Sequence, residues 1–235
     1  MKGDHILDLG GGPGRYSIEL AKLGFKVTLT DLSEVLLRQA KEGIEKRQLP
    51  GLEGIDLVNA TDLSCYQNDI FDSVILFGPL YHLLEADERQ HCITEVNRVL
   101  RPNGLVFASF TPFLSGAIGV VSRALHYSDQ VDEGNLSLVS ESGKFRNNAN
   151  RGFQEGYYPK SKEIESLFPK SGFPKILTRS VRGFGWNREE KLYSLLGRDS
   201  KLFDKIMELI NKTSTDPALI ETYGHAIYIG RKRVE

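Results

Sequence analysis

The stretch "HILDLGGGPGRYSIELAKLG", His5 to Gly24, decides the fold. His5–Leu9 reads as a short, largely apolar strand. It runs straight into Gly10, Gly11, Gly12, Pro13 and Gly14. Tyr16, Leu20 and Leu23 then recur at helical spacing, and Gly24 is a fitting stop. Pro13 suits the first turn of that helix, where its missing N–H costs nothing. A strand, a glycine turn and a helix in immediate succession bring backbone close to a ligand and present free N–H groups to it.

Working outward, strands and helices alternate. Lys26–Thr30 is a second strand, closed by Asp31-Leu32-Ser33, with Ser33 placed to cap a helix carrying Val35, Leu36, Leu37 and Ala40. Ile55–Asn59 is a third strand. Ser73–Phe77, "SVILF", is a fourth, apolar on both faces as a buried parallel strand is. A helix over Asp87–Leu100 ends at Arg101-Pro102-Asn103-Gly104, and Leu105–Phe110 is the fifth strand. This alternation predicts an α/β fold with an open parallel sheet covered on both faces.

The pattern changes at Thr111. Residues 111–158 show weak periodicity, with a helix expected in "PFLSGAIGVVSRALHY" and a polar, Gly/Asn-rich remainder. A long insertion at the C-terminal edge of a parallel sheet is where ligands bind. Residues 111–158 are therefore expected to be a substrate cap within one domain spanning 1–235. His126, Tyr157 and Tyr158 are the cap residues able to reach a site. Beyond lie a helix at Lys162–Lys170, a strand at Lys175–Val181, a helical Arg188–Asn211 broken near Gly197, and a last strand at His225–Gly230. The closing "RKRVE" reads as a solvated end.

Composition narrows the function classes. The chain has 235 residues, 40% hydrophobic and 26% charged, with a formal net charge of -1. No global basic field draws it to nucleic acid or an acidic membrane, although Arg179, Arg182 and Arg188 could form a local patch. Cys65 and Cys92 are the two cysteines, and their spacing gives neither a disulfide framework nor a zinc site. Two buried, reduced thiols and a cytoplasmic location are expected. No signal peptide or membrane-spanning run is read.

The glycine turn discriminates among ligands. A phosphate-binding loop needs Gly-Lys followed by Ser or Thr, and Gly14 is followed by Arg15-Tyr16. A dinucleotide turn needs Gly-x-Gly-x-x-Gly, but Gly10 and Gly12 are followed by Arg15, and Gly12 and Gly14 by Ser17. The spacing that fits is Asp8-x-Gly10-x-Gly12-x-Gly14, which resembles motif I of the class I S-adenosylmethionine-dependent methyltransferases.

The resemblance continues in order: Asp31 stands 17 residues beyond Gly14, "NATDLS" follows the third strand, and "FDSVILFGPLYHL" and "RVLRPNGLVFASF" come after. "YYPKSKEIESLFPKSGF" resembles the family element before its sixth strand. The resemblance implies strand order 3-2-1-4-5-7-6, with the seventh strand antiparallel and His225–Gly230 as that strand. It implies that Asp8, Gly10, Gly12, Gly14, Arg15 and Tyr16 surround the cofactor, with Arg15 able to meet its carboxylate. It implies that Asp31 accepts from both ribose hydroxyls beside Leu32, that Asp62 meets the adenine amino group, and that the Leu63 N–H reads the adjacent ring nitrogen. Phe77 and Gly78 complete the cofactor set.

Tyr81 and His82, just past the fourth strand, are the catalytic candidates, His82 as a base or as an orienting group. The acceptor is expected to be a small molecule, its oxygen, nitrogen, carbon or sulfur atom left open. A tRNA or protein acceptor, and a non-catalytic methyltransferase-like subunit acting through a partner, stay as alternatives. Only Met1–Asp4 precede the first strand, so the cap is expected to cover the cofactor or leave it more exposed.

Overall fold

A computed structural model describes residues 3–48, 52–127 and 129–234. The strands are β1 (His5–Leu9), β2 (Lys26–Asp31), β3 (Leu52–Leu57), β4 (Phe71–Leu76), β5 (Leu100–Phe110), β6 (Lys144–Arg146), β7 (Glu155–Tyr157), β8 (Lys175–Ser180) and β9 (Ala226–Arg231). The helices are α1 (Arg15–Lys22), α2 (Glu34–Glu45), α3 (Pro79–His82), α4 (Ala86–Val99), α5 (Phe113–His126), α6 (Glu133–Ser142), α7 (Ser161–Lys170), α8 (Glu189–Arg198), α9 (Ser200–Thr213) and α10 (Pro217–Thr222). Seven strands form one sheet in the order β3-β2-β1-β4-β5-β9-β8, with the last strand antiparallel; β6 and β7 form a separate antiparallel pair. This is the anticipated order, with β9 and β8 standing where strands seven and six were expected. β1 pairs in parallel with β2 on one side and β4 on the other.

Local chemistry accounts for most boundaries. The Ser33 hydroxyl accepts from the Leu36 N–H at 3.4 Å and caps α2. Glu85 and Glu88 form a reciprocal capping box on α4. Some boundaries depart from expectation: β3 runs over Leu52–Leu57 where Ile55–Asn59 was expected, and the break between α8 and α9 falls at Asp199, not near Gly197. Pro13 lies in the turn before α1, not in its first turn, because Gly14 in the left-handed region is the N-cap. The buried face of α1 is Ser17, Ile18 and Ala21, which leaves Tyr16 and Leu23 exposed. β5 begins at Leu100, so the "RPNG" run lies inside the strand as an irregularity, with a register shift against β4.

The chain divides into two compact units. The first is Met1–Ser109 with Glu165–Ile176 and Tyr228–Glu235, and the second is Phe110–Ile164 with Leu177–Ile227. In the first, Ile18, Leu29, Leu37, Ala40 and Ile44 pack together between α1, β2 and α2. Tyr228 on β9 stacks on Phe168 of α7 at 4.6 Å between ring centres. The "RKRVE" end is not wholly solvated: Lys232 donates to the Leu100 carbonyl at 2.6 Å and pairs with Asp69 at 2.8 Å.

The second unit has its own core of Val120, Val131, Val139, Phe145 and Tyr158. Tyr157 and Tyr158 are buried there, Tyr157 bonded to Glu163 and Tyr158 over Gly116. These tyrosines are packing residues of their own unit. Cys92 is buried, and burial pushes its thiol up to about 12, whereas Cys65 is exposed, against expectation. Among the described residues no helix is long and apolar enough to cross a membrane.

Candidate functional site

The site forms at the C-terminal ends of β1, β2 and β4, where the sheet order turns around β1. Gly10 and Gly12 adopt φ of 71° and 56°, which non-glycine residues rarely hold. A Cβ on Gly10 would fall 2.6 Å from Pro79 Cδ, and a Cβ on Gly78 would fall 3.0 Å from the Gly10 carbonyl oxygen. The turns after β1 and β4 therefore touch backbone to backbone. A Cβ on Gly12 would meet only Leu36, at 3.8 Å. The turn is tight against β4 and open above Gly12.

Asp31 ends β2 beside this opening. Its Oδ2 accepts from the Gly12 N–H and its Oδ1 from the Ser33 N–H, each at 2.8 Å. Two backbone donors fix the carboxylate plane, and each oxygen keeps a lone pair for a ligand donor. Leu32, next to it, is 70% exposed and offers an apolar surface. Arg15 opens α1 exposed, with no hydrogen bond or ion pair among the described residues. Tyr16 meets Phe77 edge to face at 4.9 Å, an aromatic pair joining α1 to the turn after β4.

Asp8 lies beneath the turn, only 1% exposed. Its Oδ2 accepts from the Ser17 hydroxyl at 2.7 Å, while its Oδ1 is buried with no partner. Burial raises its carboxyl to about 6, against the opposing Ser17 hydrogen bond. Expected as a cofactor contact, Asp8 is seen as a brace between β1 and α1.

On the far side of Asp31, the loop after β3 carries Asp62. Asp62 is exposed, and its Oδ1 accepts from the Ser64 N–H at 3.0 Å; the Ser64 hydroxyl and then this N–H hold its carboxyl below the usual range. The Leu63 N–H is not available as anticipated: it donates to Glu95 Oε2 at 2.8 Å, and the Leu63 side chain is fully buried. Glu95 in turn pairs with Arg98 at 2.8 Å, and Arg98 donates to the carbonyls of Leu63 (2.7 Å) and Tyr66 (2.8 Å). This brace of the Asp62 loop was not legible in the sequence. Its only signal was two charged residues three apart on a core-facing helix.

Tyr81 and His82 lie on α3, directly after Gly78. Their rings approach to 4.8 Å. Tyr81 is half-buried with its phenol raised by desolvation, and His82 is exposed. The three arginines weighed as a nucleic-acid patch are already engaged: Arg182 pairs with Glu189 at 2.8 Å, Arg179 donates to Asn211, and Arg188 donates to the carbonyls of Phe184 and Trp186. Among the described residues no group of three His, Cys, Asp or Glu is placed to hold a metal.

Residues 6–104, the span that builds this site, match the methyltransferase domain family. That match supports the class I methyltransferase resemblance read from the sequence. A demethylmenaquinone methyltransferase of Clavibacter sepedonicus is 28% identical over 184 residues, covering 77% of this chain and 70% of that protein. A demethylmenaquinone methyltransferase of Leptospira interrogans is 38% identical over 104 residues, covering 43% of this chain but 40% of that protein. In fold, the chain is similar to a methyltransferase from Methanosarcina mazei, at TM-score 0.69 and 21% identity over 100% of this chain and 95% of that one.

S-adenosylmethionine is the cofactor that the resemblance implies. The residues present fit it. The open space above Gly12 admits a ligand against backbone, and Asp31 has fixed, unfilled acceptor positions suited to a diol. Asp62 keeps a free carboxylate oxygen on an exposed loop, and Arg15 offers an uncommitted guanidinium suited to a carboxylate.

Proposed function

We propose that this chain transfers the methyl group of S-adenosylmethionine to a small-molecule acceptor. The reading is carried by the Asp31 carboxylate, held by two backbone N–H groups at the open edge of the glycine turn. In it, Asp31 binds the ribose hydroxyls, Arg15 the methionine carboxylate and Asp62 the adenine amino group. Tyr16, Leu32, Phe77 and Gly78 line the cofactor, and Asp8 holds the turn in shape from below. The bound cofactor supplies an electrophilic sulfonium methyl, so the protein's task is mainly alignment, which is worth roughly 7–11 kcal/mol in favourable models.

His82 accepts a proton from the acceptor or orients it, and Tyr81 shapes the pocket beside it. Residues 111–158 select the acceptor. The small-molecule class is supported by the similarity to two proteins named for a quinone precursor and by a near-neutral charge. The arginines that an RNA reading would need are engaged within the protein. Calorimetric titration with S-adenosylmethionine and S-adenosylhomocysteine, on the wild type and Asp31→Ala, tests the cofactor site. Binding lost or weakened in the variant is expected, and equal binding by both proteins would overturn the assignment. Retained binding without methylation of any acceptor class would favour a non-catalytic subunit.

A further inference from the structure

Within the second unit, α5 and the segments around Gln130 and Arg151 line an open cavity of about 620 Å³. Its wall includes Gly119, Arg123, His126, Gln130 and Arg151. Arg123 is half-buried, its guanidinium 5.5 Å from the centre of the Phe145 ring. One of its nitrogens donates to Gln130 Oε1 at 2.6 Å. Gln130 is itself 5% exposed, and the Asn148 N–H donates to its carbonyl at 3.2 Å. Among the described residues no carboxylate pairs with Arg123. A guanidinium oriented by a neutral amide and an aromatic face keeps its full charge for a ligand.

Arg151 stands at the same cavity, paired with Asp129 at 2.7 Å. Both side chains of that pair are more than half exposed, so the pair is weak and can exchange its carboxylate for another oxyanion. Two guanidiniums and one carboxylate leave an excess positive charge at the wall. His126 Nδ1 faces the Ser122 carbonyl at 2.7 Å, which leaves the other ring nitrogen free of that bond.

The wall is also left open at Gly119. A Cβ there would meet nothing within 4 Å, so packing does not require glycine. A glycine inside a helix is less stable there than alanine. The absence of a side chain at Gly119 keeps the cavity wide. Its volume falls in the range of small-molecule sites, roughly 300–1,000 Å³, well beyond what one ion needs.

We propose that this cavity binds a small molecule through a phosphate or carboxylate group gripped by Arg123 and closed over by Arg151. The proposal is independent of the methyl-transfer reading. It is tested on the full chain by calorimetric titration with pyrophosphate, inorganic phosphate and citrate, in chloride at matched ionic strength. Saturable binding is expected, weakened about tenfold or more in Arg123→Gln, since a charge-assisted bond of 1.4 kcal/mol corresponds to that factor. Arg151→Gln weakens it less, and Gly119→Leu, which projects a side chain into the cavity from a position where a Cβ meets nothing within 4 Å, blocks it while the melting temperature holds.

Preference for pyrophosphate or phosphate assigns a phosphate ester, and preference for citrate a carboxylate. If Arg123→Gln fails to fold, Gly119→Leu and Arg151→Gln carry the test. Absence of saturable binding by all three anions, or binding unchanged in Gly119→Leu and Arg151→Gln, would overturn the proposal.

Discussion

Two aspartates, Asp8 and Asp31, separate support from binding at the residue scale. Asp31 has two oxygens each holding one backbone N–H and each able to take another donor. Hydrogen bonds to a charged group contribute about 1.5–3 kcal/mol, so Asp31→Ala is expected to weaken S-adenosylhomocysteine binding about tenfold to a hundredfold. Asp31→Asn, which keeps one acceptor, falls between, and titration calorimetry reads both. Asp8 is the opposite case. Its folded-state carboxyl is raised from 3.8 to about 6 by desolvation. Between those values the native state binds more protons than the unfolded chain, so this group's contribution to stability falls as pH rises and is flat above about 6. Asp8→Asn removes the penalty. Its stability relative to wild type is expected to rise across that window by about 1–3 kcal/mol, by the linkage of 1.36 kcal/mol per unit. Urea unfolding at pH 4, 5, 6 and 8 measures the difference curve, and a flat difference would mean that folding leaves the Asp8 carboxyl unshifted.

Elements position these residues through pairings that run across the sheet edge. The Asp62 loop is tied to α4 by Glu95 and Arg98, which together satisfy the Leu63 N–H and the Leu63 and Tyr66 carbonyls. Arg98→Ala strands Glu95 and frees both carbonyls. Breaking one side of such a partly buried network costs about 2–4 kcal/mol, less than a fully buried pair because both side chains keep some exposure. A lower urea midpoint is expected together with weaker S-adenosylhomocysteine binding. Glu95→Gln, which keeps one acceptor for the Leu63 N–H, should retain more of both. The glycine turn and Asp31 were legible in the sequence because the chain's own backbone conformation and a strand end fix them. The Leu63 donor was misassigned because its partner lies 32 residues away on another element. The burial of Asp8 was hidden for a similar reason: β2 and α1 close over it, and no local pattern records that.

At the scale of the whole molecule, the five leading strands were readable because buried parallel strands are continuous apolar runs between turn residues. The β6–β7 pair, α6 and α10 were not. They are short, and the core beside α6 and β6 is assembled from Val120, Val131, Val139, Phe145 and Tyr158, scattered along a segment without a steady period. The sheet order also separates stability from binding. β9 is divided from β1 by β4 and β5, so its core can be perturbed without touching the glycine turn. Tyr228 on β9 is fully buried, stacks on Phe168 and donates to the Phe173 carbonyl at 2.8 Å. Tyr228→Phe keeps the ring and its stacking but leaves that carbonyl unpaired in a dry site, a loss of about 1–3 kcal/mol. The urea midpoint should fall with the slope unchanged, since the buried surface is the same. S-adenosylhomocysteine affinity should stay within about twofold, a shift below about 0.5 kcal/mol. A larger loss of affinity than of stability would mean that β9 and the cofactor site are coupled through the sheet, and that the two ends of the fold do not act independently.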